Sequence, residues 1–176
     1  MVSETTKILS DEHENILKVV DVLSAKCDNS FGKEIDKKFF LDVVDFIRSY
    51  ADKFHHAKEE DILFKEFCKS AEDGKIHCNP VEQMLYEHDI GRGFVKQIEE
   101  GVKENNSKKI IEGARGYASL IREHIFKEDN ILYPMADEGL DEKTKKKMLE
   151  QFQEIEKSRK KDKERYLNFV KTIKKQ

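Results

Sequence analysis

The 176-residue chain has no tryptophan, two prolines, eight glycines and three cysteines, and each shortage removes a class of protein. With so few turn formers, and with apolar periodicities of 3.6 rather than 2, sheet signals are missing and an all-helical chain is expected. Cys27, Cys68 and Cys78 form no CxxC pair and are odd in number, which argues against an extracellular disulfide framework and for reduced thiols. No run of 18 apolar residues occurs, and the opening Met-Val-Ser-Glu-Thr-Thr-Lys-Ile lacks an apolar stretch of signal-peptide length. A soluble cytoplasmic protein without a membrane partner is expected.

Charge is plentiful but unevenly spread. Charged residues make up 39% of the chain at a net −3, and residues 141–176 hold 13 Lys/Arg against 7 Asp/Glu, leaving −9 for residues 1–140. Basic residues at short spacing on a helix read first as a solvated face, so no nucleic-acid partner is expected. The expected organisation is a helical bundle over 1–140 and a basic helix over 141–176, lying on the bundle or pairing with a second copy as a homodimer.

The chain repeats one stretch: His55-His56-Ala57-Lys58-Glu59-Glu60-Asp61-Ile62-Leu63-Phe64, then His124-Ile125-Phe126-Lys127-Glu128-Asp129-Asn130-Ile131-Leu132-Tyr133. Each copy reads HxxxE, and residues four apart lie one turn apart on the same helix face, so each offers an imidazole and a carboxylate to one point. Glu12-His13 precedes the first copy and Glu87-His88 the second, with 42 and 36 residues between the paired histidines. His56 and Glu60 form a further HxxxE one residue on, rotated by about 100° in an α-helix. Aligning Leu63-Phe64 with Leu132-Tyr133 favours His55 and Glu59.

Five helices follow from the pattern. The first is expected from a Ser10 cap, and the second from about Lys33 to Lys69 after a loop at Asp28-Asn29-Ser30-Phe31-Gly32. The third starts at Asn79-Pro80, the fourth runs from Ser107 to a stop at Pro134 and Gly139, and the fifth spans Asp141 to Lys174. Gly91 and Gly93 in the third point to a close helix approach or to room for a ligand beside His88. Arg92, one turn on, can support a carboxylate or face water.

Six candidate ligands emerge: His13, His55, Glu59, His88, His124 and Glu128. Four imidazoles and two carboxylates exceed one tetrahedral zinc and suit two iron or manganese ions sharing the carboxylates, with an oxide or hydroxide completing the charge balance. Buried-face carboxylates without such partners would be costly.

These residues, with Met84-Leu85-Tyr86-Glu87-His88 followed by Gly91-Arg92, resemble the hemerythrin-like, or HHE cation-binding, proteins over about residues 9–136. The resemblance implies an antiparallel up-down four-helix bundle around a non-haem centre of two iron ions, oxo- or hydroxo-bridged, with the fifth helix as an addition. It departs from the oxygen carriers, which have two histidines one turn apart on the third helix; Met84 and Arg92 occupy those places here. Their last carboxylate would fall at Asp129, whereas the repeat here favours Glu128. The set is more similar to iron-centre repair proteins, although their Cys-bearing N-terminal domain has no counterpart in this chain.

Three functions stay open. The first is a protein that binds or senses O2 or NO at the di-iron centre. The second is a di-iron oxidoreductase reducing peroxide, O2 or NO, or a donor of iron in repair. The third is a helical interaction module with a structural metal. Removing metal is expected to strand Glu59 and Glu128 as raised-pKa carboxylates, with the helices surviving on their apolar stripes.

Overall fold

The computed structural model describes residues 2–30, 34–74 and 80–173, and among them every regular element is helical. In order these are α1 (Glu4–Asn29), α2 (37–72), α3 (Val81–Lys103), α4 (107–139), α5 (Glu142–Ser158) and α6 (Lys160–Ile173). Asp28 and Asn29 of the expected first loop belong to α1, while its Phe31 and Gly32, the expected Lys33 start of the second helix, Cys78, the Asn79 cap and Lys174 lie outside the described residues.

Helices α1 to α4 form an antiparallel bundle whose directions can be read from pairs of side chains. Ser3 meets Asp137, Ser10 meets Asp129 and Asp28 meets Arg115, so α1 and α4 run in opposite senses. Asn15 with Tyr50 and Lys26 with Asp36 do the same for α1 and α2. Arg48 with Glu99 and Arg92 with Asp52 set α2 against α3. The tight α3–α4 crossing falls at Gly101 and Gly113, where an added Cβ would come within 2.8 Å of the Ile110 nitrogen and 3.1 Å of the Phe94 carbonyl. Gly91 and Gly93 do not mark that approach: Gly93 has nothing within 4 Å, and Gly91 lines a cavity.

Helix starts and stops differ from the sequence reading where tertiary contacts intervene. The first helix begins before Ser10, because Ser3 caps it by accepting the Thr6 N–H at 3.3 Å, while Ser10 donates to Asp129 instead. The fourth does not stop at Pro134, which sits in the first turn of the α-helical segment Tyr133–Gly139, where a missing N–H is tolerated. Three stretches, Ile47–His56, Glu59–Leu63 and Glu128–Leu132, are π-helical and contain His55, His56, Glu59 and Glu128. Such wide turns recur at functional sites.

The apolar core comes in two parts with a polar layer between them. One part gathers Val20, Leu23, Phe40, Phe46, Ile98 and Ile110, and the other Leu9, Leu63, Phe67, Met84, Leu132 and Phe152. Each such side chain contributes roughly 1.5–3 kcal/mol on burial, so the bundle has cores on both sides that do not depend on the layer. The expected single C-terminal helix is two helices, broken at Arg159 (φ −111°, ψ 19°). The break lets Met148 and Phe152 join one core while Tyr166, Val170 and Ile173 join the other, and the charged middle stays outside. No helix among the described residues is long and apolar enough to cross a membrane.

Candidate metal centre

The polar layer holds all six sequence-derived candidates, and each is almost fully buried: His13, His55, His88, His124, Glu59 and Glu128. A seventh residue joins them. His56 lies with its ring stacked on that of His88 at 3.7 Å between centroids, because the wider π-helical turn over Ile47–His56 rotates adjacent residues by less than an α-helix does. The donor atoms fall into two groups, His13, His55, Glu59 and Glu128 in one and His56, His88 and His124 in the other, with the atoms of each group lying within 4.8 Å of one another.

Every one of the five imidazoles is oriented the same way. Its Nδ1 donates outward to a carboxylate: His13 to Asp129 at 3.0 Å, His55 to Glu12 at 3.0 Å, His56 to Asp52 at 3.3 Å, His88 to Glu60 at 2.7 Å and His124 to Glu87 at 2.9 Å. Carboxylates only accept, so Nδ1 of each ring carries a proton and Nε2 is the nitrogen that faces inward. Cations hold four of those carboxylates in turn, while Asp129 accepts from the Ser10 hydroxyl at 2.6 Å. Lys58 binds Glu12, Lys127 binds Glu87, and Arg92 binds both Asp52 and Glu60 at 2.7 and 2.6 Å.

The internal repeat therefore continues beyond the ligand candidates. The glutamate before each lone histidine serves the HxxxE histidine of the neighbouring helix, Glu12 for His55 and Glu87 for His124. The acidic residue after each HxxxE glutamate serves a lone histidine, Glu60 for His88 and Asp129 for His13. The lysine before each glutamate pairs with the outer carboxylate. His56 breaks the symmetry, since Ile125 stands at the matching position of the second copy.

Inside the layer the groups do not satisfy one another. The Nε2 atoms of His88 and His124 face each other at 2.9 Å, and a hydrogen bond between them needs a proton on one Nε2 in addition to those on Nδ1. His55 Nε2, Glu59 Oε2 and both oxygens of Glu128 lack a well-formed hydrogen bond. A protein cannot afford so many buried orphans without a counter-ion. Five imidazoles and two carboxylates are a donor set for borderline metals, so the residues fit iron.

Without metal, the charges settle unevenly. Burial and the Glu128 charge push Glu59 well above the usual carboxylate range, while Tyr133 donates to it at 2.5 Å. Burial acts upward on Glu128 too, but His124 and His13 hold it well below that range, so the expectation that both glutamates are raised is corrected to Glu59 alone. Burial would lower His13, yet Asp129 and Glu128 raise it to about 9. Burial drives His55 well below its usual value and, with the His88 charge, takes His56 down to about 4.

A cavity of about 200 Å³ reaches the His56–His88 side between α2, α3 and α4, walled by Ile47, Val95 and Ile121 and bordered by Arg92. Tyr117 lines it with a buried hydroxyl that has no hydrogen-bond partner. The features that sequence reading set aside are therefore His56, whose role hangs on the π-helical turn, and the outer carboxylates, which carried a signal in the repeated Glu-His and HxxKE spacing.

Comparison with known proteins agrees with this geometry. The family model described as Hemerythrin HHE cation binding domain matches residues 4–136. Neither the curated proteins nor the solved structures searched gave a match.

Proposed function

We propose a function from the premise that this chain belongs to the hemerythrin HHE cation-binding domain family: it holds two iron ions and binds or senses O2 or NO there. The observation that carries this is the common orientation of the five imidazoles, each held through Nδ1 by a carboxylate with Nε2 turned to the layer. His13 and His55 would hold one ion, His56, His88 and His124 the other, and Glu59 and Glu128 would be available to both. When bound, the iron pair supplies the redox-active centre that takes up the diatomic ligand.

The chain's own part is orientation and access. Arg92 and the two lysines keep the outer carboxylates in place, Tyr133 fixes Glu59, and the two apolar cores exclude water above and below. The cavity beside His56 and His88 gives a small molecule its approach. Tyr117 favours a second reading, reduction of peroxide, O2 or NO, because an unpartnered hydroxyl in that cavity can give a hydrogen bond or a proton to a ligand.

Metal analysis with anaerobic and aerobic absorption spectra tests the proposal. About two irons per chain and a near-ultraviolet charge-transfer band on oxidation are expected; one zinc, with no iron spectrum after anaerobic loading, refutes it. Reversal of the spectrum on removing O2 or NO separates binding from reduction.

A further inference from the structure

Lys58 is fully buried, which is rare for a lysine and costly unless its charge is fully compensated. Its ammonium binds Glu12, whose other oxygen accepts from His55 Nδ1 at 3.0 Å. On its far side Lys58 donates to Glu156 of α5 at 3.2 Å and lies 3.9 Å from the Phe54 ring centroid and 5.8 Å from that of Phe152. Lys163 of α6 binds the same Glu156 oxygen at 2.9 Å. A continuous chain of charge-assisted contacts thus runs from α6 through α5 to an imidazole of the centre. Glu156 and Lys163 lie beyond residues 4–136, the span that matches the family.

The internal repeat supplies a control. Lys127 stands where Lys58 does, pairs with Glu87 and so reaches His124, yet its side chain is 26% exposed against 0% for Lys58. It has no second carboxylate of the Glu156 kind among the described contacts. The difference between the two copies is the helical pair laid over the first.

We propose that α5 and α6 are a positioning element for the metal centre, acting on His55 through Lys58 and Glu12. This rests on the metal reading above. Glu156 and Phe152 hold the ammonium, the ammonium holds one oxygen of Glu12, and the other oxygen of Glu12 fixes the plane and tautomer of His55. Anything that displaces α5 then loosens one ligand while leaving His56, His88 and His124 in place. The terminal helices become a control point for the His13–His55 half of the centre.

Cobalt(II) titration of the full-length metal-free protein, followed by its d–d absorption, tests this. His55→Ala and His88→Ala identify which binding step belongs to which half. Lys58→Met is expected to weaken the His13–His55 step about tenfold, at the low end for an outer partner of a ligand, and Lys58→Arg to restore it. Glu156→Gln, at a position whose side chain is 32% exposed, is expected to weaken the same step several-fold. The step assigned to His56, His88 and His124 should not move. Wild-type affinity in both Lys58→Met and Glu156→Gln would overturn the proposal. So would equal weakening of both steps, which would make Lys58 a folding residue only. A wild-type protein that takes up a single cobalt, unaffected by His55→Ala and His88→Ala, would remove the two-metal reading itself and the proposal with it.

Discussion

Around His13 and His55 the centre is closed. Lys58 and Phe152 cover it, Tyr133 stacks on His13 at 5.5 Å between ring centroids, and α5 lies outside. Around His56, His88 and His124 it opens to a cavity, and the outer cations there are Arg92 and Lys127, 39% and 26% exposed, in place of a buried lysine. Both halves descend from one repeated segment with the same ligand spacing. One repeat thus yields a sealed and an accessible half through what lies over it and through one added histidine, not through a change in ligand type.

The largest test of that comparison removes ligands. His55→Ala and His124→Ala should each weaken metal binding in their own half by more than about 100-fold, beyond the effect of losing an outer partner, and lower iron content accordingly. His56→Ala should match His88→Ala. Iron content close to wild type in His56→Ala, measured by metal analysis after anaerobic loading, would leave the open half with two imidazoles and make His56 a packing residue.

Proton linkage sharpens the closed half. His13, raised to about 9 in the metal-free protein from an ordinary 6.5, gives a stability contribution that is complete below pH 6.5 and lost as pH rises through about 9. Glu59, raised well above the ordinary carboxylate value, acts in the same direction. Metal-free protein should therefore lose about 2 kcal/mol between pH 6.5 and 9. Metal-loaded protein should lose much less, since metal displaces those protons. Urea unfolding of both forms at the two pH values measures this, and an equal loss in both forms would show that metal does not displace the His13 proton. The gap between the two forms should narrow toward mild acid, through His13 and Glu59 and not through both glutamates.

Much of this was legible because helices impose a fixed spacing. The HxxxE pairs, the two Glu-His pairs and the apolar stripes placed four helices and six inward residues without tertiary information. His56 was not legible, since its direction depends on a π-helical turn, and a strict α-helical count turns it away from His55 by about 100°. The start of α1 was misplaced because Ser3 and Ser10 are both good caps, and only the contacts of Ser10 with Asp129 and of Ser3 with Asp137 separate them. Arg159 breaks the last helix to suit two separate cores, a cause that no local window contains.

Arg92 tests the open half alone. It joins Asp52 and Glu60, the carboxylates on His56 and His88, and those two pairs hold both carboxylates below their usual range, against burial. Arg92→Ala should weaken metal binding in the open half about tenfold and leave the His13–His55 step unchanged in the same cobalt titration. Equal loss in both steps would mean that the halves are mechanically coupled through α2.

The smallest expected effect is at Tyr117. Its hydroxyl is buried without a hydrogen-bond partner and burial raises its pKa, so it stays a neutral donor facing a cavity. A buried hydroxyl with nothing to bind costs stability, and Tyr117→Phe should return about 1 kcal/mol to the metal-free protein. The same change removes a hydroxyl donor that lines the cavity beside the open half, so azide should bind the iron-loaded variant several-fold more weakly while metal content is unchanged. The two signs separate function from packing. If Tyr117→Phe is less stable than wild type, the hydroxyl has a structural partner and the cavity is not held ready for a ligand; if it is more stable but binds azide as tightly as wild type, ligands do not meet Tyr117. Gain in stability with loss of azide affinity is the outcome that an open half built for a small hydrogen-bond acceptor requires.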